Sequence, residues 1–440
     1  TGLYPIISIA EKEKIENAIE VNYADYSAKE FVLQANRSVS KLVPEMEEEL
    51  EETENEAMVV KLINGLLVRG YTINSSDIHI EPYEKKTRIR MRIDGILVDY
   101  TDLAPALHPN VVARIKIMSR LDIAEKRIPQ DGHFKVTLDD IVINARVSTT
   151  PTVFGEKVVI RYLNTNTEIT NQNSFGMQDH HYRMVEEMMK SPHGIIYVTG
   201  PTGSGKTTTL YMMMERLLER SVNISTIEDP VERTIYGLNQ IQINPTAGLT
   251  FASGLRSLLR QDPDIIMVGE TRDSETAAIS VRAAITGHLV LSTLHTNDAV
   301  ASIVRLEDMG VERYLLSSAL VGIIAQRLVR KICQECRQAY IPTEAEALMM
   351  ESRGIGTTYH GVGCKTCNNT GYLGRMGIHE IVMVDTGVKK MMLENQSMDD
   401  ITEYLRQTQG FQSLEASARD LVNQGETTFE EYLRVQYSVL

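Results

Sequence analysis

The chain has 440 residues, 42% of them hydrophobic, with a formal charge of −14 and a pI of about 5.3. That length holds two or three domains with real cores, and the acidic balance argues against nucleic acid as the main partner. No apolar run is long enough to span a bilayer and no secretory signal opens the sequence, so a soluble, cytoplasmic protein is expected.

Residue 1 is threonine, not a natural initiator, which reads as the start of a fragment. Residues 1–54 read as a helical-spaced, weakly apolar tail followed by an acidic linker from Glu45 to Glu56. Residues 55–165 read as a compact α+β domain. Met58 to Val68 carries an apolar helical stripe, and Asp77 to Glu81 and Thr87 to Ile93 alternate with strand period. Asp94-Gly95 marks a hairpin before Ile96. A second amphipathic helix spans Val111 to Leu121, and strands follow at Val142 to Val147 and Lys157 to Tyr162. The polar stretch 166–176 reads as a hinge.

From Met177 the pattern changes to strands alternating with helices, the signature of a mostly parallel sheet covered on both faces. Helix 177–189 precedes strand Ile195 to Thr199. Strands are then expected at Asn223 to Ile227, Leu238 to Ile243, Ile265 to Val268 and Leu289 to Thr293, with helices at Phe251 to Arg260 and Glu275 to Thr286. The α/β core is RecA-like and spans 177–330. A cysteine element covers 331–376, and 377–440 reads as helical, as does the chain from about 298 outside the cysteines.

Chemistry concentrates after the first core strand. Gly200-Pro201-Thr202-Gly203-Ser204-Gly205-Lys206-Thr207-Thr208 has P-loop spacing, with a strand before and a helix after. Glycines let backbone N–H groups close around phosphate oxygens, and the helix N-terminus adds positive potential. Lys206 would reach the β- and γ-phosphates of ATP, and Thr207 would offer its hydroxyl to Mg²⁺. Glu270 ends the apolar strand after Asp264, where an acid can hold the Mg²⁺ hydration shell or activate the attacking water. Glu228, Asp229 and Glu232 follow a strand expected beside the P-loop strand. His288 and His295 bracket another, with His295 the better placed to sense a γ-phosphate.

Cys333-x-x-Cys336 and Cys364-x-x-Cys367 are the only four cysteines. Four thiolates make a closed tetrahedral site, structural rather than catalytic, and no other redox feature favours iron over zinc. Arg127, Arg146 and Arg161 lie on first-domain strands and loops, while Arg114 and Arg120 lie on a helix. A P-loop ATPase commonly takes an arginine from outside its own core.

The motifs GPTGSGKTT, STIEDPVE, LRQDPDIIMVGETRD and TGHLVLSTLHTND, in that order, resemble the Walker A, Asp, Walker B and His boxes of the secretion ATPases. SSDIHIEP, RMRIDGIL, LDIAEKRIPQDG and RVSTTPTVFGEKVVIR resemble the second N-terminal, PAS-like domain of that family. The likeness covers about residues 55 to 440. The resemblance implies a homohexameric ATPase at the cytoplasmic face of the inner membrane, held there through a membrane platform protein and binding no nucleic acid. Arg146 and Arg161, with Arg127 and Arg272 less firmly, would act at the nucleotide as the ring closes. The tetracysteine insert is similar to that of type IV pilus extension and type II secretion ATPases. Pilus extension is the first expectation and type II secretion the alternative. Thr271 stands where many members carry an aliphatic residue, and residues 5 to 30 resemble only the end of a further N-terminal domain.

Overall fold

The computed structural model describes residues 30, 32–33, 35–36, 48–138, 141–163, 177–350 and 357–439. The expected hinge and nearly all of the expected tail lie outside them. The chain divides into two units, Thr1–Thr167 and Glu168–Leu440.

In the first unit, helix α1 (Glu48–Thr72) buries Val59, Leu62, Ile63, Leu66 and Leu67, the i, i+3, i+4, i+7, i+8 stripe of a helix that covers a sheet. Strands β1 (Ser75–Tyr83), β2 (Lys86–Ile93) and β3 (Ile96–Leu103) follow, then α2 (His108–Ser119), β4 (Gln130–Leu138), β5 (Ile141–Thr152) and β6 (Gly155–Tyr162). The turn between β2 and β3 puts both Asp94 and Gly95 at positive φ (47° and 84°), as a two-residue hairpin of this twist requires. The sheet order is β3-β2-β1-β6-β5-β4. Alternation sends Ile78, Ile80, Ile89, Met91, Val147, Val158 and Ile160 to the core and leaves charge on the other face. β4 was not expected from the sequence. It is an edge strand in which only Phe134 is buried, so its apolar signal is weak.

In the second unit, α3 (Asp179–Met189), β7 (Gly194–Thr199), α4 (Lys206–Leu217), β8 (Ile224–Glu228), β9 (Asn239–Gln242), α5 (Phe251–Leu258), β10 (Ile265–Val268), α6 (Ser274–Ile285) and β11 (Leu289–Leu294) run in the expected alternation. Next come α7 (Ala301–Asp308), α8 (Arg313–Ala319), β12 (Leu320–Ile332), β13 (Arg337–Tyr340), α9 (Glu344–Met349), β14 (Thr358–Gly361), β15 (Tyr372–Met383), α10 (Thr386–Leu393), α11 (Met398–Gln409), α12 (Leu414–Asn423) and α13 (Phe429–Val439). The main sheet has the order β15-β12-β7-β11-β10-β8-β9. Its pairs are parallel except β12 with β15. Successive strand residues feed two separate cores. Ile195, Tyr197, Ile266, Val268 and Val290 pack against α5, α6 and α7. Ile196, Val198, Ile265, Met267 and Leu291 pack against α3 and α4. Burial on both faces is why these strands read as unbroken apolar runs.

Two expectations need correction. β8 is not beside the P-loop strand, because β11 and β10 return between β7 and β8. The strands are parallel, so Glu228 still emerges at the same sheet edge as the P-loop. The chain after 298 is helical over α7, α8 and α10 to α13, as expected, but it also holds the 13-residue β12 and the 12-residue β15. Their apolar spacing fits a helix equally well, and pairing of β12 with β7 and of β15 with β12 decides the matter.

Candidate functional site

β7 is buried at all six positions, and its carboxyl end turns through Gly200, Gly203 and Gly205, all at positive φ (148°, 79° and 89°). A Cβ on Gly200 would lie 2.5 Å from the Gln326 carbonyl oxygen and 2.6 Å from Ser204 Oγ. The loop is therefore tied to glycine by a strand passing beneath it as well as by φ. α4 starts at Lys206, which aims its N-terminal amides into the loop. The Lys206 ammonium donates to the carbonyls of Gly200 (2.8 Å) and Pro201 (3.0 Å). Burial first, and then the nearby Arg327 guanidinium, push it down to about 8.

The loop forms one wall of a cleft of about 380 Å³. Thr202, Gly203, Gly205, Lys206, Thr207 and Thr208 line it together with Glu228, Asp229, Glu270 and His295. These last four meet at one edge of the sheet, each at the carboxyl end of a parallel strand, and Glu232 lines the same cleft. Their surroundings differ. Glu228 is 3% exposed. It accepts from Thr226 Oγ1 (2.5 Å) and Gln240 Nε2 (3.1 Å) on one oxygen and from the Tyr211 hydroxyl (2.6 Å) on the other. Asp229 is exposed at the cleft rim. Glu270 pairs with Arg272 Nε at 2.6 Å, and His295 Nε2 stands 3.8 Å from the same oxygen. Burial, then the Lys206 ammonium, hold the His295 imidazole below its ordinary value. Thr271 turns its hydroxyl to Ser292 Oγ at 2.9 Å, inside the sheet rather than in the cleft. His288 sits at the amino end of β11, bonded through Nδ1 to the Ala283 carbonyl that ends α6 (3.0 Å).

The cleft also contains residues that no motif signalled. Phe251, Leu328 and Arg375 line it, and the last two come from β12 and β15. Nothing local in their sequence points to a nucleotide.

In the first unit, Arg146 and Arg161 are cross-strand partners on the charged face of the sheet. Asp77 is next in the same row, opposite Arg161. Arg161 Nε contacts Asp77 at 2.7 Å and Arg146 Nη2 contacts Asp131 at 3.5 Å. Arg127 is 87% exposed and pairs with Glu125 at 2.7 Å.

The four cysteine sulfurs lie within 4.8 Å of one another. The measured separations are 3.8 Å for Cys333–Cys364, 3.9 Å for Cys336–Cys367 and 3.7 Å for Cys364–Cys367. Tetrahedral zinc with Zn–S of about 2.3 Å sets its sulfurs about 3.8 Å apart, so the donors fit that ion. Backbone amides of Cys364 and Gly371 donate to Cys367 Sγ (3.2 and 3.3 Å), the support a metal-bound thiolate needs.

A glycine loop between a parallel strand and a helix, facing carboxylates from neighbouring strands, defines a P-loop nucleoside-triphosphatase core. More particularly, the chain belongs to the Type II/IV secretion system protein family, whose model matches residues 52–434, and it is an ATP-hydrolysing enzyme. It is 45% identical over 390 residues to the Type II secretion system ATPase E of Vibrio cholerae, covering 88% of this chain and 77% of that protein. It is 45% identical over 388 residues to the Type II secretion system protein E of Dickeya dadantii, covering 88% and 78%. Among solved structures, the pilus retraction motor PilT with bound ADP matches with a TM-score of 0.58 at 26% identity, covering 85% of this chain and 96% of that one. Among the described residues, no helix is long and apolar enough to cross a membrane.

Proposed function

We propose that this chain is the motor ATPase of a type II secretion machine. It works as a homohexamer on the cytoplasmic face of the inner membrane, where a platform protein passes its motion to pseudopilus assembly. The observation that carries the reading is a cleft where the P-loop meets Glu228, Asp229, Glu270 and His295, in a chain with relatives, 45% identical, that bear the type II secretion name. The pilus-extension reading expected from the sequence has support at the level of the family, and the relatives favour its alternative.

In this reading the amides of Gly203 and Gly205, with Lys206, hold the phosphates of ATP, and Thr207 helps to hold Mg²⁺. The bound metal ion would neutralise developing charge on the phosphates. Glu270 accepts the proton of the attacking water, and His295, beside it, reads the γ-phosphate. Glu228 and Asp229 position that arrangement. Arg146 and Arg161 exchange their carboxylate partners for the nucleotide as the ring closes. Cys333, Cys336, Cys364 and Cys367 hold zinc as a structural staple.

Two experiments test this. Glu270→Gln should abolish phosphate release while nucleotide affinity stays near that of the wild type, and wild-type turnover in that variant would sink the assignment. Deletion in the source organism should stop export of secreted enzymes. Loss of surface pili with secretion intact would return the pilus-extension reading.

A further inference from the structure

β12 carries two buried polar residues beneath the P-loop. Gln326, 3% exposed, uses both ends of its amide there. Its Nε2 donates to the Ser204 carbonyl at 2.6 Å and its Oε1 accepts from Thr209 Oγ1 at 2.8 Å. Arg327 is different. It is 5% exposed, and its Nη1 stands 3.2 Å from where a Gly200 Cβ would be. Nη2 donates to the Asn297 carbonyl at 2.8 Å and Nη1 to the Gln326 carbonyl at 3.1 Å. Among the described residues, Nε has no acceptor and no carboxylate lies within ion-pair distance. Burial pulls the guanidinium below its ordinary value, with Glu380 and Asp298 as the nearest opposing charges.

An unpaired buried charge is costly, and an apolar side chain of similar length would fill the space without that cost. What arginine adds is its grip on Asn297, two residues after His295. The segment is held on both sides of that point. Thr296 bonds Thr199 at the end of β7 (2.6 Å between hydroxyls), and the Ala299 amide donates to Glu380 Oε1 at 2.8 Å. Arg327 is the charged link between this segment and the strand under the P-loop.

Resting on the ATPase reading of the cleft, we propose that Arg327 is a positioning residue that fixes the His295–Asp298 segment against the P-loop, so that His295 can distinguish ATP from ADP. ADP needs only the P-loop, whereas reading a γ-phosphate needs both parts in register.

The test measures kcat and the affinities for ATP and ADP in the full chain for wild type, Arg327→Met, Arg327→Lys, His295→Ala and the Arg327→Met/His295→Ala double variant. Arg327→Met should keep ADP affinity within about twofold, lose its preference for ATP, and lose kcat on the order of 10- to 100-fold, the range a misplaced group costs. Arg327→Lys should recover part of the loss, since an ammonium reaches one carbonyl. The double variant should be no worse than His295→Ala by more than about twofold, because the two residues act as one unit. Where Arg327→Met yields no folded protein, Arg327→Gln replaces it as the neutral variant. A folded neutral variant with unchanged kcat and preference overturns the proposal. So do equal losses of ATP and ADP affinity, or losses that add fully in the double variant. Absence of turnover in the wild type would instead overturn the ATPase reading beneath it.

Discussion

Tyr211→Phe removes one oxygen from the back of the cleft. In the wild type that hydroxyl donates to Glu228 Oε2 at 2.6 Å and accepts from the Glu232 amide at 3.1 Å. It joins α4, the end of β8 and the turn carrying Asp229. Burial, then the neighbouring Glu228, push the phenol well above its ordinary value, so it stays a donor at any working pH. Among the described residues Glu228 Oε2 has no other donor, and the residue is 3% exposed, so water replaces the lost bond poorly. A hydrogen bond to a charged group of this kind contributes about 1.5–3 kcal/mol. For a unit of this size that corresponds to a fall in Tm of roughly 3–10 °C. With its anchor gone, the Asp229 turn shifts, and kcat should fall by about tenfold, as a small misplacement of cleft groups costs, while ADP affinity holds. Differential scanning calorimetry and a phosphate-release assay read both. A Tm within about 1 °C of wild type would mean that Glu228 does not depend on this hydroxyl, and the account of a saturated, buried carboxylate would be wrong.

Two further outcomes follow from buried groups away from the nucleotide. His379 and His181 are buried 6.5 Å apart between β15 and α3. Burial, followed by His181 for His379 and by His180 for His181, holds them down to about 3 and about 4. Both lie below the unfolded value, so the unfolded chain takes up the protons first and stability falls as pH drops from 6.5 towards 4. The loss should reach about 2 kcal/mol per histidine at pH 5. His379→Leu should flatten the acid limb of a Tm–pH curve, and an unchanged limb would place the acid sensitivity elsewhere. Metal analysis of folded protein should find one Zn²⁺ per chain, lost in Cys336→Ser together with several degrees of Tm. A folded, metal-free preparation with four freely titrating thiols would refute the zinc site.

The motifs were legible because each is local. The P-loop, Glu270 and His295 each follow a buried strand whose apolar run is bounded by glycine or aspartate, and parallel strands deliver their carboxyl ends to one edge. The order of those strands was not legible, because the neighbours of β7 are chosen by packing over distance. The same holds for Gln326, which meets Ser204 across 122 positions, and for Arg375 on a strand whose spacing fits a helix. Arg146 and Arg161 were legible as strand residues. Their pairing with Asp131 and Asp77 depends on register and turn geometry that single-strand alternation does not specify.

The two acids that the sequence marks alike are separated by their hydrogen bonds. A base must offer water a free lone pair. Glu228 accepts from two hydroxyls and an amide and is sealed from solvent, so its oxygens are already engaged with the frame of β8, β9 and α4. Glu270 instead pairs with Arg272, which is 68% exposed on a flexible stem. That pair can open without disturbing the core, because an exposed ion pair is worth little. A bound nucleotide therefore meets one carboxylate that cannot move and one that can be released. Such a division of labour fits Glu228 to holding the Asp229 turn and Glu270 to the water. In the same proposal Tyr211 and Arg327, neither of which lines the cleft, keep its two walls in register.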